Sequence, residues 1–417
     1  MLGHLTDLAK GSWRYATGLR GFLSVSLDLE AAQNILTHQL QRREETFLRV
    51  LEQGVYGNPR SPYRRLLLHS GFQYEDVSGL TRDIGLEKTL ARLQEAGVSV
   101  TLDEFKGRTS IKRPGLEFAV SERDFDNPFL RVHYEGSTGG SRGGGTRVPI
   151  DFDSFVHESA SLLCNLHASE VAGRPAFLWR PEPPGTMGLR SVLLCAGAGF
   201  LPERWLSPLR LNWNRQGLQG RALMIYTLFV SRLFGRPLPR PRFAGTESEI
   251  VRYLADAVRR DTPALMFCGP SQWVRICQAA ELEGVSIKGT VFYGGGEPYT
   301  DGKAAVLDRA GARALSSYGM QEAGSIGQLC GSPTSSDDMH FMSDRLAMLQ
   351  HPVELSPGIR VNSLLYTTLT TSAPKLMLNV ESGDYGVVEE RDCGCLWYRL
   401  GFTTHIHHVH SHEKLTK

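Results

Sequence analysis

The chain predicts an α/β fold of mostly parallel sheets flanked by helices, with a smaller β-rich subdomain. Three observations carry that prediction. Short apolar runs at 264–268 and 289–293, bounded by glycine and proline, read as buried strands. Helical patterns at 152–172, 247–260 and 273–282 alternate with them at the spacing of parallel units. A strand-like lead (Leu130, Val132, Tyr134) also runs straight into a glycine-rich loop at 136–147.

In chain order, residues 28–53 read as one long helix capped by Asp28, with Leu36, Leu40, Phe47, Leu48 and Leu51 at roughly helical spacing. A short helix from Tyr63 closes at Gly71, and 86–96 is a further helix stopped by Gly97. Residues 98–105 read as a strand, as does the apolar run 191–195 ahead of Ala196-Gly197-Ala198-Gly199. A dinucleotide fingerprint fails there because Pro202 stands where a third glycine belongs. Residues 235–243 (GRPLPRPRF) read as a rigid linker.

The 417 residues are long for one compact domain and carry 46 Lys+Arg against 44 Asp+Glu. A balance so near neutral argues against nucleic acid or a charged membrane surface as partner. The longest apolar stretches are too short to span a bilayer. Seven cysteines without a regular framework point to a reducing, cytoplasmic setting.

Six glycines and four hydroxyl residues fall within positions 136–147. Such a loop makes a poor helix or strand, because glycine loses the most backbone entropy on ordering. Without Cβ atoms it can turn amide N–H groups toward an anion, with hydroxyls and two arginines adding donors and charge. This reads as a polyphosphate cradle; the plain alternative is a surface loop without a ligand. A Walker loop fails, since Gly145 follows Gly144 where lysine is needed. Gly139 to Gly143 fits the G-x-S-x-G elbow of serine hydrolases around Ser141, but three glycines follow where a helix should begin.

Ser137-Thr138-Gly139-Gly140-Ser141 resembles the start of the phosphate loop of the adenylate-forming superfamily: acyl-CoA synthetases, peptide-synthetase adenylation domains and luciferases. That family usually ends the loop in Pro-Lys; here Arg142 and Gly144 intervene and Arg147 is the nearest cation. Three later segments follow in the family's order. Tyr293-Gly294-Gly295-Gly296-Glu297-Pro298 looks like its G-G-E-P loop along the adenine and acyl pocket. Ser317-Tyr318-Gly319-Met320-Gln321-Glu322 resembles Tyr-Gly-x-Thr-Glu, with Gln321 in place of threonine. Ser382-Gly383-Asp384 resembles the family's Thr-Gly-Asp. The stretches from Tyr63 to Leu66, from Leu93 to Gly97 and from Glu104 to Gly107 are similar to the phenylacetate-CoA ligase and acyl-protein synthetase branch.

The resemblance implies the large N-terminal domain of such an enzyme, over residues 1–400. Within it fall a helical part (1–105), a sheet–helix core (106–330) and the β-rich subdomain (331–400). Residues 401–417 become a stub before an absent C-terminal domain. It implies ATP-dependent activation of an acyl or aryl carboxylic acid to an acyl-adenylate, in a secondary-metabolite pathway for the aryl case. The acyl group then passes to coenzyme A, a carrier protein or an amine. Ser137 to Ser141 and Gly143 would hold phosphates, and Gly294 to Pro298 with Ser317 to Met320 would border adenine. Asp384 would hold the ribose, and Glu322 the Mg²⁺, a hard ion suited to carboxylate and phosphate oxygen. Arg147 and Arg399 are the candidate replacement cations. Residues 197–205, Leu211, Trp213, Asn214 and Gly294 to Gly296 are expected to shape the acyl pocket. A feebly catalytic nucleotide- or adenylate-binding protein of the same fold is the second reading, and a hydrolase using Ser141 the third.

Cys330, His340, Cys393 and Cys395 form a candidate structural zinc set, and the phenylacetate-ligase branch includes relatives with a comparable cluster. The plain alternative is free thiols in a reducing cytosol. The histidines at 405, 407, 408, 410 and 412 would be split between two faces if that segment is a strand.

Overall fold

The computed structural model describes residues 2–137, 147–210, 214–356 and 358–412. Its centre is one twelve-stranded mixed sheet. The order across it is Leu346–Ser356, Ile359–Thr368, Val380–Glu390, Thr404–Ser411, Met339–Phe341, Gly324–Leu329, Arg313–Met320, Val291–Gly295, Leu265–Phe267, Ala176–Trp179, Arg204–Ser207 and Pro241–Phe243. From Arg313–Met320 to Pro241–Phe243 every pairing is parallel. On the other side every pairing is antiparallel, so the β-rich part continues the same sheet.

The parallel half is buried on both faces, and alternate side chains serve different cores. Leu178, Phe267, Val291 and Leu315 point into one cluster with the helices Phe152–Ala168 and Thr186–Gly197. Phe177, Met266, Phe292 and Ala314 point into another with Glu247–Arg259 and Pro270–Leu282. A third core joins the N-terminal helices to the antiparallel strands through Phe47, Leu66, Leu90, Tyr366 and Val380. Each such aliphatic or aromatic side chain contributes about 1.5–3 kcal/mol by leaving water. Both outer strands carry proline, Pro352 at one margin and Pro241 at the other.

Local signals explain most elements. Thr246 and Glu249 cap Glu247–Arg259 reciprocally, and Asp28 accepts from the Ala31 N–H at 2.8 Å. The predicted 28–53 helix is broken, however, into Leu29–Gln41, Arg43–Arg49 and a π-helical run Val50–Tyr56. Residues 98–105 are not a strand. Val100 makes a single parallel bridge to Val380, and Thr101 with Glu104 caps the helical turn Leu102–Phe105. The run 191–195 belongs to the helix Thr186–Gly197, whose Val192, Leu193 and Cys195 are fully buried. A short apolar run fits a buried helix as well as a strand, and here the longer span decides. Residues 241–243 of the expected linker pair as an edge strand. Residues 404–411 lie within the sheet between Val380–Glu390 and Met339–Phe341.

Candidate active site

A cavity of about 240 Å³ opens where the parallel strands end at their carboxyl termini, the position at which open α/β sheets receive ligands. Gly294, Gly295, Gly296, Ser317, Tyr318, Gly319 and Met320 all line it. The strands Tyr134–Ser137 and Arg147–Ile150 pair as an antiparallel hairpin, and Tyr134, Val148, Pro149 and Ile150 form another wall. Thr138, Gly139, Gly140, Ser141 and Gly143 lie outside the described residues, between the two arms of that hairpin. For Ser137 the backbone pairing with Arg147 is what the structure describes.

The glycines here are required by close approach. A Cβ on Gly294 would lie 2.1 Å from the Cys268 carbonyl oxygen, and one on Gly295 only 1.9 Å from that of Ser317. Any side chain would force neighbouring backbones apart.

Tyr318 donates to Asp384 Oδ2 at 2.7 Å, which ties the Ser382-Gly383-Asp384 segment of the strand Val380–Glu390 to the cavity wall. Within that strand Gly383 adopts φ +77°, and the Asp384 N–H donates to Ser382 Oγ at 3.1 Å. Burial, followed by neighbouring Tyr366 and the Asp384 carboxylate, pushes the Tyr318 phenol well above its usual range and keeps it a donor.

Glu322 is buried and its carboxylate is engaged by the Lys106 ammonium. The cation comes from the Glu104 to Gly107 segment, which Arg113 braces through two bonds to Glu104, at 2.9 and 3.2 Å. A single buried carboxylate that already accepts a cation has the oxygen chemistry that Mg²⁺ requires. Gln321 directs its amide toward Thr186 Oγ1 at 3.5 Å.

Two expected cations are placed differently from the sequence reading. Arg147 is held by Asp126 at 2.7 Å and Glu135 at 2.8 Å, and these two carboxylates raise its pKa further and neutralise its charge. Arg399 donates to the Gly394 carbonyl at 2.7 Å beside the cysteine cluster and does not line the cavity. Glu297 faces Ser271 and Lys303, and the Pro298 carbonyl accepts from Lys303; neither Glu297 nor Pro298 lines the cavity.

The expected acyl wall also needs correction. None of 197–205 lines the cavity, because Thr186–Gly197 is a helix and Trp205 is buried beneath it with Nε1 donating to the Arg180 carbonyl. Asn214 instead caps Arg215–Leu233, while Leu211 and Trp213 lie outside the described residues. The walls come from Phe155, Glu158, Leu194, Phe267, Arg180 and Arg190, which sequence reasoning missed. The available signal was Glu158, an acidic residue in the middle of a helix that is buried along most of its length; Arg190 binds it.

Cys330, His340, Cys393 and Cys395 place their ligand atoms within 4.8 Å of one another. His340 Nδ1 lies 2.7 Å from the Phe402 carbonyl, a pure acceptor, so Nδ1 carries the proton. Nε2 then presents a lone pair toward Cys395 Sγ at 3.1 Å and Cys393 Sγ at 3.5 Å. Tetrahedral zinc separates such atoms by about 3.3–3.9 Å, so three thiols and one oriented imidazole fit it.

No family model matches the sequence, and no curated protein matches it. Solved structures share the fold. One is an open conformation of 2-hydroxyisobutyryl-CoA ligase in complex with 2-HIB-AMP and CoA. It superposes with TM-score 0.53 at 17% identity, over 88% of this chain and 72% of the other. The same ligase in its postadenylation state with R3-HIB-AMP gives TM-score 0.53 at 17% identity, over 88% of this chain and 65% of that one. This chain therefore spans about two thirds to three quarters of those ligases.

Proposed function

We propose that the protein is an adenylate-forming ligase of the acid–thiol ligase kind, activating a carboxylic acid with ATP. The carrying observation is convergence: Gly294–Gly296 and Ser317–Met320, from separate stretches of the chain, line one cavity beside the Tyr134–Ile150 hairpin, and Asp384 is joined to it through Tyr318. The solved ligases that share the fold hold acyl-adenylates, which supports the same reading.

In this reading the acid's carboxylate oxygen attacks the α-phosphorus of ATP, the new O–P bond forms, and the α–β bridge breaks to release pyrophosphate. The residues chiefly position and neutralise. Ser137 to Ser141 and Gly143 cradle the β- and γ-phosphates, while Asp384 accepts from the ribose hydroxyls. Tyr318 and the Gly294 loop flank adenine. Glu322 would hold Mg²⁺, which when bound neutralises phosphate charge. Cys330, His340, Cys393 and Cys395 would hold a structural zinc. The acyl group passes to a thiol, amine or protein acceptor.

A second reading, nucleotide binding with little catalysis, draws on the neutralised Arg147 and on Gln321 in the threonine position. Acid-dependent ATP–pyrophosphate exchange over a panel of aryl and aliphatic acids tests both. Exchange supports the ligase; ATP binding without exchange favours the second reading. Ester hydrolysis abolished by Ser141→Ala would overturn both in favour of a serine hydrolase.

A further inference from the structure

Arg180 follows the strand Ala176–Trp179 at its carboxyl end and lines the cavity while only 9% exposed. Its guanidinium lies against the Gly294–Gly296 segment, with Nη2 3.0 Å from where a Gly294 Cβ would stand. Among the described residues it forms no side-chain hydrogen bond or ion pair, and Nε is buried without a partner. Its polar neighbours do not supply a counter-charge. Burial drives the Cys195 and Cys268 thiols far above their usual range, and pushes Tyr293 up to about 12, so all three stay neutral. Arg190 is a like charge already committed to Glu158. Burial itself lowers the Arg180 pKa, the direction expected for a cation lacking an anion.

A buried charge left alone is strongly unfavourable, and proteins keep one where a ligand completes the pair. Phe155, Leu194 and Phe267 give the same cavity apolar walls. A guest there needs a short apolar body with an anion at its far end.

Resting on the acid-activation reading, we propose that the acid is dicarboxylic: one carboxylate is activated while the other pairs with Arg180. An arginine fork recognises a carboxylate through two parallel hydrogen bonds, which a methyl ester or amide cannot accept equally. The apolar walls of Phe155, Leu194 and Phe267 suit a short chain or a single ring between the two carboxylates.

The test is pyrophosphate exchange with matched pairs: glutarate against monomethyl glutarate, and isophthalate against its monomethyl ester. The wild type is expected to show kcat/KM at least ~10-fold higher for each diacid. Arg180→Met is expected to bring that ratio near one while retaining exchange with the monoesters. Its melting temperature should equal or exceed that of the wild type, since an uncompensated charge is removed. Equal wild-type use of acid and ester, a preference that survives Arg180→Met, or weaker ATP binding in the variant with the preference unchanged would each overturn the assignment. Monoacid exchange without diacid preference would sink this inference alone. Absence of exchange with any acid would sink the ligase reading beneath it.

Discussion

Tyr318 and Asp384 stand 66 residues apart in the chain and share a 2.7 Å hydrogen bond at the cavity wall. The donor is a phenol that burial keeps protonated, so one Asp384 oxygen is fixed. Asp384→Asn keeps the shape but replaces one acceptor by a donor. It is expected to weaken ATP binding by about 1.5–3 kcal/mol in calorimetry, while Tyr318→Phe costs about 0.5–1.5 kcal/mol. Unchanged affinity in Asp384→Asn would remove Asp384 from the nucleotide site.

Lys106 and Glu322 form the second such relationship. Lys106→Met strands a buried carboxylate and is expected to lower stability by about 1–3 kcal/mol. Magnesium ATP would supply the missing positive charge, so it should raise the melting temperature of this variant more than that of the wild type. Equal ligand-induced shifts in both proteins would argue that Glu322 never meets the metal.

Acid sensitivity follows from Glu104. Burial alone would raise its pKa, but hydrogen bonds from Arg113 and from the Thr101 N–H outweigh that and hold it below the ordinary carboxylate range. A depressed folded value means that this stabilisation is complete above the unfolded pKa of about 4.3 and is lost as pH falls through the folded value. Glu104→Gln should therefore cost about 2–4 kcal/mol near neutrality, with the gap to wild type closing below about pH 4 in urea titrations.

Metal analysis of protein purified without chelator is expected to give one zinc per chain. Cys330→Ser should abolish it and lower the melting temperature by roughly 5 °C or more, a loss that a strong chelator reproduces in the wild type. Unchanged melting together with a metal content of zero would leave three reduced thiols packed around a histidine.

Gly295→Ala forces a methyl group into the space of the Ser317 carbonyl. Separating the paired strands is expected to cost about 1–3 kcal/mol by thermal denaturation and to depress exchange activity with every acid alike. A fully stable, fully active variant would show that the two strands can part without consequence.

The sequence exposed those parts of the site that sit in short distinctive strings at and near strand ends. Gly294–Gly296, Tyr318, Glu322 and Asp384 lie in short strings whose residue types are restricted by backbone approach and charge, so one sequence suffices to notice them. Arg180 and Arg190 were illegible, because a lone arginine looks like surface until tertiary contacts bury it. The helix Thr186–Gly197 was misread because its first turn carries no capping side chain and its apolar run is short. Arg147 was expected to act as a spare cation from its place at the end of the glycine-rich loop, and Arg399 on residue type alone. Whether a cation is spare depends on the carboxylates and carbonyls that fold against it, here Asp126, Glu135 and the Gly394 carbonyl.

The prolines at both margins of the sheet bear on how the molecule behaves among copies of itself. An open strand is a template on which another chain can add its own, and a residue without an amide proton leaves a gap in such a ladder. With Pro352 near one border and Pro241 beginning the other, growth by strand addition is discouraged in both directions. The sheet is thereby left as a fixed frame for the segments that surround the cavity.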